Sequence, residues 1–357
     1  MSDIRITNCH THLFTTAHVP DRYPHPLVSL IRLVPGLVGA VRWGLAAVGQ
    51  EHWAGVVARL ERFRATGDQA LQSDVLREML PHYPGDARFV VLPMDMAHIG
   101  HGAVQADLGM QHDELAELAA DPVLGPRIIP FATVYPDAPD SVAEARRAIE
   151  TLGFRGLKIY PRLGFAPDHP VLMEELYPLL LERNVPVISH CARGGVAGRG
   201  LPMALADAYT DPRAVLPVLE RFPELRLCLA HFGGQVDWRS YIEQGIDPLD
   251  AGARERNWLA AILDLLRSGE WPGLWTDISY TLFHFDDFAP FLRVFMGEKR
   301  VRERVLFGSD YYMIKREKLS ERAISFRLRN TLGEDWFRQI AETNPGIWLG
   351  ERPGGTG

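Results

Sequence analysis

Eight short apolar, β-branched runs recur along the chain, with helical stretches between most of them, and this alternation constrains the fold more than any other feature. The runs are IRITNCH (4–10), RFVVLPM (88–94), RIIPFATV (127–134), FRGLKIY (154–160), VPVISH (185–190), LRLCLAH (225–231), LWTDISY (274–280) and RVLFGSD (304–310). Helical patterns fill stretches such as 140–153, 169–184, 212–222 and 257–269. The first of these has Asp140 or Ser141 as its expected N-cap and Gly153 just past its end. Strands and helices alternating in this way predict parallel βα units that close into a (β/α)8, or TIM, barrel. A doubly wound open sheet is the alternative, and it is disfavoured because no glycine-rich dinucleotide fingerprint follows the first strand. In a barrel the functional residues gather at the carboxyl ends of the strands.

One stretch breaks the rhythm. Residues 14–87 separate the first two strands by far more than an ordinary βα loop. They read as helices over 27–49, 51–66 and 69–80, the last capped by Asp68. We expect one barrel domain over 1–357, with 14–87 as a helical cap over its mouth that also offers a surface for a homodimer. The most membrane-like stretch, 26–50, contains Arg32, Pro35 and Arg42 and has helical apolar spacing, so an amphipathic, kinked helix packed on the protein is expected rather than a span. A second insertion is expected over 232–255.

Composition narrows the partners. The formal net charge is −7 and no dominant basic stretch occurs, which argues against phosphate-driven binding of nucleic acid. Three scattered cysteines make no disulfide framework, and the first ten residues lack a signal-peptide pattern, so a cytoplasmic setting is expected.

Polar residues fall at the strand ends. The first strand ends in His10-Thr11-His12, and residues two apart on a strand share a face. Lys158 lies on the fourth strand; His190, His231 and Asp310 end the fifth, sixth and eighth. A barrel brings these ends together, and imidazoles with a carboxylate suit a divalent metal, zinc first, with manganese, iron or cobalt as alternatives. Asp310 is the expected base for a metal-activated water, and His231 the group that stabilises charge on a substrate oxygen. If His190 faces inward then so does Ile188, while Val187 faces the helices. By the same parity Lys158 points inward, and Leu157 and Ile159 outward. Arg162 and Arg193, just past the strand ends, are candidates to clamp a carboxylate of a small, anionic substrate, and Tyr160 to line its pocket.

These ordered motifs, HTH, SHC, AHFGG and FGSD, resemble the amidohydrolase superfamily, in the branch related to aminocarboxymuconate-semialdehyde decarboxylase. The resemblance implies His10, His12 and His190 as metal ligands, Asp310 as ligand or base, and His231 as a catalytic histidine or a ligand to a second metal. It also implies that Lys158 could carry a carbamate bridging two metals. Asn8 departs from the pattern, because the family usually has Asp two residues before the first histidine. The branch holds both hydrolases and carbon–carbon lyases. The leading expectation is a hydrolase acting on an amide, lactone or related carbonyl. The alternative is a metal-dependent decarboxylase of a carboxylated unsaturated or aromatic acid, and a non-catalytic metal-holding barrel is the third reading.

Overall fold

The computed structural model describes residues 4–23, 67–247, 249–279, 285–311 and 320–351. Within them nine strands run in parallel: β1 (Thr7–Thr11), β2 (Arg88–Val91), β3 (Ile128–Pro130), β4 (Ala132–Thr133), β5 (Leu157–Ile159), β6 (Val187–Ser189), β7 (Leu227–Leu229), β8 (Leu274–Asp277) and β9 (Val305–Leu306). β1, β2 and β3 pair in that order, and β4 to β9 pair consecutively. β3 and β4 are two halves of one stave, broken only at Phe131, whose N–H still donates to the Val91 carbonyl at 3.0 Å. The ring closes between the last strand and the first: Cys9 N donates to Phe307 O at 2.8 Å and Asp310 N to His10 O at 2.9 Å. Nine strands with one stave counted once make the eight staves expected of a TIM barrel.

Parity works as the sequence predicts on the later strands. Ile188, Cys228, Trp275 and Leu306 form part of the interior cluster, whereas Leu157, Ile159 and Val187 pack outward with the helices. On β1 it fails. The register with β2 slips between Asn8 and Thr11, so three steps on β1 match two on β2. This bulge lets Cys9 join the interior cluster although His10 beside it also belongs to the mouth. Trp348 and Leu349 complete the interior cluster from the C-terminal helix Asn344–Trp348. Arg226, which precedes β7, donates to the Trp348 carbonyl at 2.6 Å, so this helix floors the barrel at the strands' amino ends.

Helix ends differ from expectation for local reasons. The helix after β4 spans Pro139–Glu150, with Ala138 as N-cap and Pro139 at its first turn. Ser141 is instead used sideways, donating to Asp95 at 2.6 Å. The expected helix over 169–184 divides into a wider turn, Leu172–Leu176, and a helix, Tyr177–Glu182, because Pro178 cannot continue the regular bonding pattern. Of the stretch expected as a cap, the described part holds a helix at Gln72–Met79, starting later than an Asp68 N-cap predicts. The expected helices over 27–49 and 51–66, and the apolar stretch 26–50, lie outside the described residues. After β7 come helices Gly234–Glu243 and Ala251–Arg256, which form the second insertion. Among the described residues no helix is long and apolar enough to cross a membrane.

Candidate metal centre

The strand ends converge as the barrel requires. His10, His231 and Asp310 each offer a donor atom, and these atoms lie within 4.8 Å of one another, all buried. His12 reaches the same group through its Nε2, 3.7 Å from Asp310 Oδ1. His190 joins through His231, with Nδ1 of one 3.2 Å from Nε2 of the other.

Hydrogen bonding fixes which nitrogen of the His10, His12 and His231 rings carries its proton. His10 Nδ1 donates to Asp277 Oδ2 at 2.8 Å, which leaves Nε2 as an acceptor, buried and without a hydrogen-bond partner. His12 Nδ1 donates to the Leu92 carbonyl at 2.7 Å, so its Nε2 lone pair faces Asp310. The Ser279 hydroxyl gives its only hydrogen to Asp277 Oδ1 at 2.5 Å; His231 Nδ1 therefore donates to Ser279 Oγ at 2.9 Å. His190 Nε2 lies 3.3 Å from the Gly194 carbonyl. His190 Nδ1 faces His231 Nε2 at 3.2 Å, a hydrogen bond when His190 carries its proton on Nδ1. Donor nitrogens of His10, His12 and His231 and a buried carboxylate oxygen thus meet in one space beside His190, and Asp310 Oδ1 has no hydrogen-bond partner. Imidazole nitrogens with a carboxylate are a donor set that fits a divalent metal.

Burial sets the electrostatics. Desolvation, reinforced by the Lys158 charge, holds His10 and His190 well below the ordinary imidazole range and brings His12 down to about 4. His231 is lowered by burial and by His10 and His190. Neutral rings are the form that ligates metal. Burial pushes Asp310 up to about 7, against the opposing pull of Lys158.

The backbone is bent to deliver these groups. Four non-glycine residues among those described have positive φ, and three belong here: His231 (69°), Phe232 (47°) and Asp310 (56°). Such conformations cost on the order of 1–3 kcal/mol each and persist where surrounding structure enforces them. Gly308 has a steric role. A Cβ there would lie 2.7 Å from His10 Cβ, so only glycine lets β9 pass this close to the first ligand strand.

Asp277 is the anchor that sequence reasoning passed over. Its carboxylate accepts from His10 Nδ1, His231 N (2.9 Å), Ser279 N (3.0 Å) and Ser279 Oγ. The signal was present as an Asp-x-Ser pair at the end of the seventh predicted run, spaced like the two histidines of the first. We expect Asp277→Ala to weaken metal binding by about 10- to 100-fold, read by calorimetric titration, because such carboxylates orient ligand imidazoles. Unchanged affinity would show that His10 is held by packing alone.

Lys158 lies one step below the imidazoles, in register with Ile188 on β6. It is buried, and its Nζ has no hydrogen-bond partner. Tyr160 stacks on His190 (4.1 Å, 11° between planes), and its hydroxyl accepts from Val196 N at 3.2 Å. The two arginines are already engaged. Arg162 is buried and paired with Asp207, with Nε unpartnered. Arg193 pairs with Asp237 at 2.9 Å and lies over the Trp258 ring at 4.3 Å. Cys191 packs in the outer core, away from the cluster.

A family model described as Amidohydrolase matches residues 7–350. Over 193 residues the chain is 26% identical to a 2-amino-3-carboxymuconate-6-semialdehyde decarboxylase of Dictyostelium discoideum. That match covers 48% of this chain and 47% of the relative, so the chain spans about half the length of the curated protein it matches. Two solved structures share the fold over nearly all of both chains. One is an uncharacterised TIM-barrel protein from Bordetella bronchiseptica (16% identity, 97% and 99% covered, TM-score 0.54). The other is a 5-carboxyvanillate decarboxylase from Novosphingobium aromaticivorans complexed with manganese and 4-hydroxy-3-methoxy-5-nitrobenzoic acid (15% identity, 97% and 96% covered, TM-score 0.55).

Proposed function

The chain belongs to the amidohydrolase family and is a metal-dependent enzyme of that superfamily; from this premise we propose that it is a non-oxidative decarboxylase of a small carboxylated, unsaturated or aromatic acid. The alternative of the sequence reading thereby takes precedence over hydrolysis. The Dictyostelium relative, named for removing a carboxyl group, supports it.

The observation that carries the reading is the buried ammonium of Lys158, which forms no hydrogen bond and has the Tyr160 ring 5.7 Å away and the charges of Asp277 and Asp310 acting on it. A buried cation whose hydrogens are all unsatisfied costs several kcal/mol, which suits the site to an anion that arrives with the substrate.

Here His10, His12, His190 and Asp310 would hold the metal, with His231 beside them or holding a second ion. Zinc and manganese both suit the set. When bound, the metal supplies positive charge that draws electrons from the substrate. Lys158 binds and orients a carboxylate through its Nζ. Tyr160 walls the mouth by stacking on His190. Asp310, whose carboxyl burial raises to about 7 in the metal-free site, is the group that carries a proton to the substrate. As the bond between the ring or chain carbon and its carboxyl breaks, the electron pair stays on carbon and takes the Asp310 proton. Carbon dioxide leaves, and solvent returns a proton to Asp310. His231 stabilises charge on a substrate oxygen during this transfer.

The test is a panel of carboxylated aromatic and unsaturated acids assayed in deuterated and in oxygen-18 water. Decarboxylation releases carbon dioxide and places one deuterium at the vacated carbon, with no oxygen-18 in the organic product. Oxygen-18 in that product would instead establish hydrolysis.

A further inference from the structure

Asn8, where the superfamily pattern has Asp, does not simply stand in for it. Its amide heads a buried ring of four polar side chains. The Nδ2 group donates both hydrogens, one to Tyr83 Oη and one to Ser309 Oγ, each at 2.8 Å. The Tyr83 hydroxyl donates to Glu321 Oε1, and the Ser309 hydroxyl lies against both Tyr83 and Glu321. Glu321 Oε2 is buried without a hydrogen-bond partner. All four residues are buried. Three hydrogens therefore run one way, two from the Asn8 amide to the hydroxyls and one from Tyr83 to the carboxyl.

The other face of Asn8 touches the metal-site backbone. Oδ1 accepts from Ser309 N at 3.0 Å and from His10 N at 3.2 Å. One of these amides belongs to a candidate ligand and the other immediately precedes Asp310. The ring thus clamps the β1 bulge to the strained turn after β9. We infer that Asn8, Tyr83, Ser309 and Glu321 form a one-way hydrogen-bond ring that positions His10 and Asp310, with Glu321 as the acceptor that makes Asn possible where Asp is usual. The inference rests on the metal-centre reading above.

Hydrogen counting makes it testable. Three hydrogen bonds hold the ring: Asn8 supplies two of the hydrogens and Tyr83 the third. In Asn8→Asp both amide hydrogens are gone, and two carboxyls face each other across the hydroxyls. Glu321→Gln alone is tolerated, because the amide turns its oxygen into the ring. In N8D/E321Q the Gln Nε2 supplies two hydrogens, the hydroxyls turn towards residue 8, and the ring runs in reverse.

The experiment compares wild type, N8D, E321Q and N8D/E321Q as full-length proteins. Each is titrated calorimetrically with Mn²⁺ and Zn²⁺, with melting of the metal-free proteins and the Co²⁺ spectrum as further readouts. We expect N8D to lose about 10- to 100-fold in metal affinity and to alter the Co²⁺ spectrum, as loss of a ligand-orienting contact does. E321Q and N8D/E321Q should stay within about threefold of wild type, since each keeps an amide donor on one side of the hydroxyls and an acceptor oxygen on the other. Wild-type affinity in N8D, or a double variant as weak as N8D, overturns the ring. If N8D does not fold, Tyr83→Phe replaces it: a loss of about tenfold supports the ring and an unchanged affinity overturns it. If wild type takes up no metal, the functional reading fails, and the ring is judged on metal-free melting, which N8D lowers and the double variant restores.

Discussion

Asp310→Asn should abolish most turnover while leaving the fold intact, a fall in kcat of about 10²- to 10⁴-fold at saturating metal. The substitution is nearly isosteric, and the Asp310 N–H that bonds the His10 carbonyl is backbone, so the strand closure survives. Asn also tolerates the left-handed conformation that Asp310 adopts at φ 56° better than most residues. What it cannot do is hold and release a proton at Oδ1. The carboxyl can, and burial lifts it to about 7 in the metal-free site. Metal affinity should fall as well, since one anionic donor is lost. Measuring kcat only after metal saturation, checked by titration, separates the two effects. A variant that turns over within tenfold of wild type would remove Asp310 from proton transfer.

The sequence carried the barrel and most of the cluster because both depend on order and parity. Each strand end is a local fact, and closure turns a list of strand ends into neighbours. Parity also placed Lys158 inside and Leu157 outside without any structure. The β1 bulge was illegible because it arises from the slipped pairing with β2, not from any residue in ITNCHTH. Asp277 was one aspartate among many until its four donors, from β1, β7 and its own turn, were in view. Asn8 stood out as a departure, yet its partners Tyr83 and Glu321 are themselves 238 residues apart and share no motif. Arg162 and Arg193 show the opposite limit. Their place after strand ends suggested a carboxylate clamp, but proximity in sequence could not reveal that Asp207 and Asp237 already engage them.

Lys158→Met should move stability and function in opposite directions. The metal-free protein now buries an ammonium that forms no hydrogen bond, and burial brings its pKa down to about 8 although Asp277 and Asp310 pull it up. Methionine of similar length removes that penalty, so the metal-free variant should gain about 1–3 kcal/mol at pH 7. The sign of the pH dependence follows by linkage. Between about pH 8 and the unperturbed value of 10.5 the unfolded chain binds more protons at this position than the folded one. Wild-type stability from this group therefore rises with pH across that window, and the advantage of the variant shrinks. Catalysis should suffer instead. With no ammonium to meet the substrate carboxylate, kcat/KM is expected to fall by about 10²- to 10³-fold, the scale of a desolvated charge contact. Metal content should stay unchanged, and anionic inhibitors should lose affinity in proportion. A carbamylated Lys158 predicts a different pattern: metal content would fall in the variant, and short carboxylic acids added to a Lys158→Ala protein would restore activity by replacing the missing carbamate. Loss of anion affinity at constant metal content assigns Lys158 to the substrate. Loss of metal with rescue by carboxylic acids assigns it to the metal.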